Sequence, residues 1–400
     1  MKTKGLLICY WLPPLNSAAS HRTGAFLRHF NQTEDTVLDV LCPKREGKPI
    51  EGVRHIYTHR EGSKVDYSHY QSNLSWFQQL KNWIIYDVLK LQFWFELKGG
   101  EFYKHGLKKI SHMNMDQYDF VICSYGPFDV FRLGFEVKSR HPKINLILDY
   151  RDQLSLNPMR HLGFWKFFYA LKEQNIINQA SLIIGVSKKL VEALRKQFEI
   201  KCPTEVIYNG FDSDTPLLEK KSIAKKYIVH SGALYGGKRS CDEFLEHYQK
   251  ELRDQFDLKF AIFNQEDLVY LTGLKTKYNL LNLEIKENLT YEESLELISN
   301  SEFALLVLSK DGRDQEYLPI KMYEYVQNKK PVIFCGLKSR SEAFDLICEY
   351  QIGDHFSSFD YVQGIDVKNF DEPHRIFERS YQNGLFKNEI MNILKNETYK

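Results

Sequence analysis

The sequence predicts an α/β protein built from two doubly wound domains. Its 400 residues exceed what one hydrophobic core usually organises, because chains beyond about 250 to 300 residues tend to divide into domains. Short apolar runs alternate with helix-length segments in the first half, and the alternation restarts after a polar stretch. This pattern is typical of βα units around a parallel sheet.

Each half has its own series of apolar runs of strand length, bounded by turn residues. In the first half the predicted strands are Leu6–Leu12, Val37–Cys42, Phe120–Ser124, Leu146–Tyr150, Leu182–Val186 and Val206–Tyr208. In the second half they are Tyr227–Ser231, Lys259–Phe263, Leu283–Ile285, Phe303–Leu308 and Pro331–Cys335.

The domain boundaries follow from where this alternation is interrupted. We expect an N-terminal domain over 1–211, with an aromatic-rich helical insertion at about 73–110. The Lys-rich segment 212–226 lacks apolar periodicity and indicates a linker. The C-terminal domain is expected over 227–375, and 376–400 is expected to form a helix that packs back on the N-terminal domain.

The composition favours a globular protein of a reducing compartment. A hydrophobic fraction of 43% and an aromatic fraction of 14% exclude disordered and low-complexity classes. The seven cysteines are scattered, with no CxxC pair and no Cys/His cluster at zinc-ligand spacing. No run of 18 apolar residues predicts a membrane span. We therefore expect a cytoplasmic protein.

The N-terminus allows two interpretations. Lys2 and Lys4, followed by the apolar Gly5–Leu12, imitate a secretory signal, whereas the same run also suits a first buried strand. Eight apolar residues make a short signal core, and Pro13-Pro14 interrupts it. The strand is the favoured interpretation.

The charges are distributed unevenly between the two halves. Residues 1–211 carry 29 Lys and Arg against 20 Asp and Glu, whereas 212–400 carry 25 against 32. The basic half has no recognisable nucleic-acid motif, so no nucleic-acid partner is expected. Lysines and aromatic residues of Asn73–Ile110 could lie on an anionic membrane. The protein would then be a peripheral protein at the inner face of that membrane. Alternatively, the aromatic residues pack against the sheet and the lysines are solvated.

A helix predicted over Pro319–Asn328 follows one strand of the second half and precedes the next. Its free N-terminal amides and its dipole suit a phosphate, and Glu324 can accept hydrogen bonds from a ribose diol. Lys321 and Glu324 are also an ordinary i, i+3 surface pair, which is the alternative interpretation.

Several segments, in order along the chain, resemble the family 4-like group of GT-B glycosyltransferases. Glu316 and Glu324 are separated by seven residues before the strand that begins Lys330-Pro331, as two glutamates of that group are. The other matching segments are Tyr10–Arg22, in which Ser17-Ala18-Ala19 replaces the group's glycine pair, Asp149-Tyr150-Arg151-Asp152, Ala180–Ser187, Val206–Asp212 and Ser231–Arg239.

The resemblance implies a GT-B fold, with two Rossmann-like domains facing each other across a cleft, and a glycosyltransferase of the hexosyltransferase type. It implies a retaining enzyme that takes a sugar from an NDP-sugar, which is a substrate rather than a cofactor, to a glycan or lipid-linked acceptor in surface polysaccharide or glycoconjugate synthesis. The implied donor-site residues are Gly232, Gly237, Lys238, Arg239, Lys321 and Glu324. The implied catalytic residues are Asp152, Arg151 and Glu316, and those on the acceptor side are Ser17, Arg22 and Asp149.

Several of these residues also have a structural interpretation. The glycines could form a strand-to-helix turn, Asp149, Arg151 and Asp152 could form an ion-pair cluster, and Arg22 could be solvated. Because the only Asp-x-Asp, Asp212-Ser213-Asp214, lies in the linker, we expect no metal and no cofactor, with protein cations stabilising the leaving diphosphate. Two other functions stay open: a non-hydrolysing NDP-sugar epimerase, and a degenerate GT-B scaffold that binds a partner transferase. The oligomeric state is not predicted.

Overall fold

The computed structural model describes residues 2–15, 17–60, 99–157, 162–212, 225–312, 318–337 and 341–397. The chain forms two compact units. The first comprises Met1–Val186, Leu190–Ile207 and Asn383–Lys400, and the second comprises Ser187–Lys189 and Tyr208–Gln382. The parts of the predicted insertion and linker at 73–98 and 213–224 lie outside the described residues.

Parallel sheets form the centre of both units. The first sheet consists of β1 Thr3–Cys9, β2 Thr36–Lys44, β3 His55–Arg60, β4 Phe120–Ser124, β5 Asn145–Tyr150, β6 Leu182–Gly185 and β7 Thr204–Val206. The second consists of β8 Tyr227–Ser231, β9 Asp257–Ile262, β10 Leu283–Glu287, β11 Phe303–Val307, β12 Val332–Cys335 and β13 Gly353–His355. The strand orders are β3-β2-β1-β4-β5-β6-β7 and β10-β9-β8-β11-β12-β13.

Helices connect most of these strands, as parallel pairing requires. They are α1 Ala18–Gln32, α2 Glu101–Ile110, α3 Asp129–Arg140, α4 Trp165–Ile177, α5 Lys188–Gln197, α6 Asp242–His247, α7 Gln265–Lys277, α8 Tyr291–Ser299, α9 Ile320–Gln327, α10 Glu342–Glu349, α11 Phe359–Gln363, α12 Asp371–Ile376 and α13 Arg379–Glu397. A π-helical segment, Tyr248–Leu252, continues α6, and short 3-10 helices lie at Met115–Gln117, Phe356–Ser358 and Val367–Phe370.

Alternate residues of β1 belong to two apolar clusters, as expected for a sheet covered on both faces. Leu6 and Ile8 lie in one cluster, and Leu7 and Cys9 lie in the other. The second cluster includes Phe386 from α13, whose ring centroid is 4.9 Å from that of Phe26. The C-terminal helix therefore supplies part of the core of the first unit.

Two strands were not predicted, and two predicted strands were misplaced. In His55–Arg60, Ile56 and Tyr57 stand among His, Thr and Arg, and Gly353–His355 is short and polar, so neither segment gives an apolar run. The strand predicted at Leu6–Leu12 runs over Thr3–Cys9. Leu12 instead lies in a turn, where its carbonyl accepts a hydrogen bond from the amide of Leu15. The strand predicted at Val206–Tyr208 ends at Val206.

Both sheets reverse their strand order at one point, and such a reversal opens a crevice at the carboxyl ends of the strands. In the first sheet the reversal lies between β1 and β4, and in the second between β8 and β11. Ligands of doubly wound domains bind at these points. Along the described part of the chain, no helix has both the length and the apolar character needed to cross a bilayer.

Candidate functional site

The loop after β8 lies at the reversal point of the second sheet. Gly232 has a φ of +141°, a conformation that glycine adopts without steric cost. A Cβ atom at this position would lie 3.5 Å from Cγ of Lys321 and 4.0 Å from Nε2 of His230. Gly232 therefore borders the side chains of Lys321 and His230.

The rest of this loop is fixed by bonds within its own unit. The buried carboxylate of Asp267, in the first turn of α7, accepts the amides of Leu234 at 2.8 Å and Gly236 at 2.7 Å. The amides of Gly237 and Arg239 donate to the carbonyl of Leu234. These four amides are thus already bonded and are not available to a phosphate.

Gly237 and its two basic neighbours differ in what they can contribute. A Cβ atom at Gly237 would lie 2.7 Å from Cε2 of Tyr270, so the position needs glycine for packing. Lys238 is exposed, and the half-buried Arg239 lies with its guanidinium carbon 5.1 Å from the ring centroid of Tyr235. Lys238 and Arg239 are therefore the loop groups that suit a diphosphate.

The predicted helix of the donor site is α9, with Pro319 as its N-cap rather than within its first turn. Proline has no side-chain acceptor, so the first helical amides lack a side-chain cap. Nζ of Lys321 lies 2.7 Å from Oε2 of Glu324. Glu324 is 4% exposed, and burial raises the pKa of its carboxyl while Lys321 opposes this shift. The pair thus combines a buried carboxylate with a partly exposed cation.

His230 is a residue of this site that the sequence analysis missed. Its Nδ1 lies 2.9 Å from the carbonyl oxygen of Leu305 and therefore carries the proton that it donates. Its Nε2 is buried and has no hydrogen-bond partner in the described structure. Burial, with contributions from Arg239 and Lys321, lowers the pKa of His230 to about 4. The neutral ring thus presents an acceptor nitrogen beside Gly232, and the only sequence signal is a polar residue late in an apolar strand.

In the first unit, Arg22 and Asp149 form a buried ion pair. Nη2 of Arg22 lies 2.9 Å from Oδ1 of Asp149, and its Nε lies 3.2 Å from both carboxylate oxygens. Arg22 also donates to the carbonyl of Ile207, and the hydroxyl of Ser124 donates to Asp149. Both side chains of the pair are almost fully buried, so Arg22 is not solvated, and the pair ties α1 to the carboxyl ends of β4 and β5.

Arg151 and Asp152 follow β5 and lie nearer the surface than the buried pair. Arg151 donates to the carbonyl of Tyr125. Asp152 is exposed as a residue, but the surrounding protein partly desolvates its carboxylate. This desolvation raises the pKa of Asp152, and the attraction of Arg151 opposes the shift. A Cβ atom at Gly126 would lie 3.2 Å from Nη2 of Arg151 and 3.4 Å from Nε1 of Trp11. Trp11, an exposed aromatic residue just after β1, is thus a second residue that the sequence analysis missed.

Ser17 and Glu316 are the remaining predicted site residues. Ser17 is the N-cap of α1, and it forms a capping box with Ser20 in which each side chain accepts the other's amide. Glu316 lies outside the described residues, so its predicted role stays a prediction. Among the residues that the structure describes, no group of three or more His, Cys, Asp or Glu side chains could hold a metal ion.

Solved structures similar to this chain share its two-unit architecture. A sucrose-phosphate synthase from Thermosynechococcus elongatus is 14% identical, with a TM-score of 0.63 over 98% of this chain and 100% of its own. The lipopolysaccharide outer core galactosyltransferase WaaB is 11% identical, with a TM-score of 0.60 over 98% and 99%. A Listeria monocytogenes protein assigned as a UDP-N-acetylglucosamine 2-epimerase is 10% identical, with a TM-score of 0.54 over 100% and 97%.

No family model matches the sequence, and no curated protein is significantly similar to it. The structural neighbours include several GT-B glycosyltransferases and cover nearly the whole chain. The chain therefore has the GT-B fold, with two Rossmann-like domains. At these identities the likeness concerns the fold alone.

Proposed function

We propose that the protein is a retaining, metal-independent glycosyltransferase, similar to family 4, that moves a sugar from an NDP-sugar to a glycan or lipid-linked acceptor. The observation that carries this proposal is the group at the second reversal point, where Lys321 and His230 border Gly232 and Glu324 is paired with Lys321. The partly exposed cation suits the diphosphate, and the buried carboxylate and the acceptor nitrogen suit hydroxyl groups of the ribose or the sugar.

The donor would be held by complementary charges. The uncapped start of α9 offers amide donors and the positive end of the helix dipole to the diphosphate. Lys321 adds a cation there, and Lys238 and Arg239 add two more from the loop after β8. Glu324 would accept the hydroxyl groups of the ribose, which requires Lys321 to turn from its carboxylate toward the phosphate. These cations would stabilise the leaving diphosphate in place of a metal.

The acceptor would use the first unit. Arg151, Asp152 and Trp11 lie near the carboxyl ends of β1, β4 and β5, where an aromatic ring and a carboxylate can hold a sugar. Arg22 and Asp149 would not contact the acceptor but would hold the strand ends and α1 in position. Ser17 would help by capping the start of α1. Glu316 would face the donor sugar. Surface polysaccharide or glycoconjugate synthesis is the corresponding process.

A peripheral location at the inner face of a membrane would suit a lipid-linked acceptor. In α2 the side chains of Lys104, Lys108 and Lys109 are exposed, whereas Phe102 and Ile110 are buried. Each exposed lysine near an anionic surface contributes about 1 kcal/mol of attraction, which salt weakens.

Nucleotide binding tests the donor site directly. Calorimetry with UDP, GDP, dTDP and CMP should identify one ligand, and Glu324→Gln should weaken it by about 1–3 kcal/mol because charge-assisted ribose bonds are lost. The matched control is Asp371→Asn, which removes a 2.8 Å ion pair to Lys329 just beyond the other end of α9. Binding that is unaffected by Glu324→Gln would remove Glu324 from the site. Absence of any nucleotide binding would instead favour a scaffold.

Turnover assays test the chemistry. Transfer should survive EDTA, and Lys238→Ala should slow it by about 10²-fold if Lys238 stabilises the leaving group. Activity that is lost on chelation and restored by Mg²⁺ would contradict the metal-independent mechanism. Conversion of an NDP-sugar into its epimer without acceptor would identify the epimerase that the third structural neighbour suggests.

A further inference from the structure

Helix α4 of the first unit is apolar on two opposite faces. Trp165, Tyr169 and Ile176 are buried in the core of the unit. On the other face, Phe164, Phe167, Phe168 and Leu171 are exposed by 58%, 64%, 46% and 49% of their surface. One apolar face of this helix is already buried against the core, so a second, exposed apolar face calls for a partner.

The exposed residues, here called the aromatic patch, form one stripe. Phe164, Phe167, Phe168 and Leu171 follow i, i+3, i+4 and i+7 spacing, which places them on one side of a helix. The ring centroids of Phe167 and Phe168 are 5.7 Å apart. Isolated exposed apolar residues are ordinary on protein surfaces, but a contiguous patch marks an interaction site.

The charges beside the aromatic patch identify the class of partner. Lys166 and Lys172 are exposed on the same helix. Within the described stretch Leu162–Gln179 the only acidic residue is Glu173, which is buried and accepts the amide and the hydroxyl of Ser155. Burial lowers the pKa of Lys172, and the nearby cation of Arg132 on α3 adds to this shift. Lys172, four residues after Phe168, is therefore the cation of α4 that lies beside the patch.

The basic helix α2 belongs to the same side of the first sheet. Its Phe102 and Ile110 lie in the same apolar cluster as Trp165 and Tyr169 of α4. The exposed lysines of α2 and the aromatic patch of α4 therefore cover one layer of the unit. Aromatic residues that enter a surface while lysines remain at its polar edge are typical of an interfacial membrane helix.

We infer that the aromatic patch inserts into the interfacial region of an anionic lipid bilayer, with Lys172 at the headgroups. This mode of binding differs from attraction by lysines alone, because insertion of apolar side chains persists when salt screens the charges. It deepens the proposed function by bringing the enzyme to a lipid-linked acceptor, but vesicle binding is measured without donor or acceptor. Its failure and the failure of nucleotide binding are thus separate results.

Vesicle sedimentation of the full chain tests the inference. Vesicles of phosphatidylcholine with about one-third phosphatidylglycerol should bind the protein at low salt and retain a measurable fraction at about 0.5 M salt. Phe167→Ser with Phe168→Ser should lower the partition coefficient at least tenfold at both salt concentrations. The matched control is Val269→Ser with Leu281→Ser, which changes exposed apolar residues of the second unit and should bind as the wild type does.

Three results would overturn the inference: no vesicle binding at low salt, equal binding by the Phe167/Phe168 variant, or complete loss of wild-type binding at high salt. A dimer that the same variant abolishes, without vesicle binding, would identify a second copy as the occupant instead. Should the double variant fail to fold, as judged by circular dichroism, Leu171→Gln alone should still reduce high-salt binding severalfold.

Discussion

Each unit carries a cation–carboxylate pair near the carboxyl edge of its sheet, and the two pairs differ in exposure. The side chains of Arg22 and Asp149 are 2% and 0% exposed, whereas those of Lys321 and Glu324 are 21% and 5% exposed. The first pair is held by further bonds from neighbouring strands and has no approach for a ligand. The second pair keeps a cation open to solvent. Similar charges at similar places can therefore support a loop in one unit and suit a ligand in the other.

Removing the arginine of the buried pair should produce the largest effect. Arg22→Met leaves the carboxylate of Asp149 buried without its arginine, although Ser124 still donates to it, and the free energy of unfolding should fall by about 3–5 kcal/mol. Lys321→Met should cost less, because Lys321 keeps contact with water and the carboxyl of Glu324, whose pKa burial already raises, can take up a proton when its partner is lost. Urea unfolding followed by circular dichroism measures both changes. Equal losses for the two variants would remove the distinction between the pairs.

A double variant distinguishes the loss of the ion pair from the cost of leaving a buried carboxylate without its partner. Arg22→Met combined with Asp149→Leu removes both charges, and it should recover part of the stability lost by Arg22→Met alone. The contrary result is a double variant that is less stable than Arg22→Met by as much as Asp149→Leu alone destabilises the wild type. In that case the two side chains contribute independently to the free energy of unfolding.

The sequence predicted the sheets better than the pairs within them. Runs such as Phe120–Ser124 and Tyr227–Ser231 are strands over the predicted bounds, because a strand buried on both faces must be apolar throughout. The partner of Arg22 lies 127 residues away, and no local pattern encodes such a distance. The sequence therefore identified Asp149 and Arg22 as candidates without showing that they bind each other.

The two residues that sequence reasoning missed have a common reason. His230 and Trp11 are single residues whose surroundings come from other elements: Leu305 and Gly232 for His230, and Gly126 for Trp11. Neither belongs to a recurring spacing. Their importance appears only when the strand order brings the ends of β8 and β11, and of β1 and β4, side by side.

Another prediction concerns the pH dependence of the second unit. The pKa of His230 is lowered to about 4, below the ordinary value near 6.5, so between these values the unfolded chain binds more protons than the folded chain. Stability should therefore fall as the pH falls from about 6.5 toward 4, by about 3 kcal/mol from this residue. Besides burial, the charged groups that act on His230 are Arg239, Lys321 and Asp267.

Substitution isolates this contribution. His230→Gln keeps an amide donor for the carbonyl of Leu305 but does not titrate, so its free energy of unfolding should change less between pH 6.5 and 4 than that of the wild type. Leu281→Gln, at an exposed residue of the same unit that carries no titratable group, is the control and should retain the wild-type slope. Identical slopes for the wild type and His230→Gln would show that His230 is not the group responsible.

The smallest expected effect distinguishes a helix cap from a ligand contact. Ser17 caps α1 in the first unit, and Thr290 caps α8 in the second with the same reciprocal box, formed with Glu293. Loss of an N-cap hydroxyl costs about 1 kcal/mol of stability, so Ser17→Ala and Thr290→Ala should lower the free energy of unfolding by similar amounts. If Ser17 acts only through α1, neither variant should change the KM for the acceptor. A higher acceptor KM in Ser17→Ala than in Thr290→Ala, at equal loss of stability, would instead place the hydroxyl of Ser17 in contact with the acceptor.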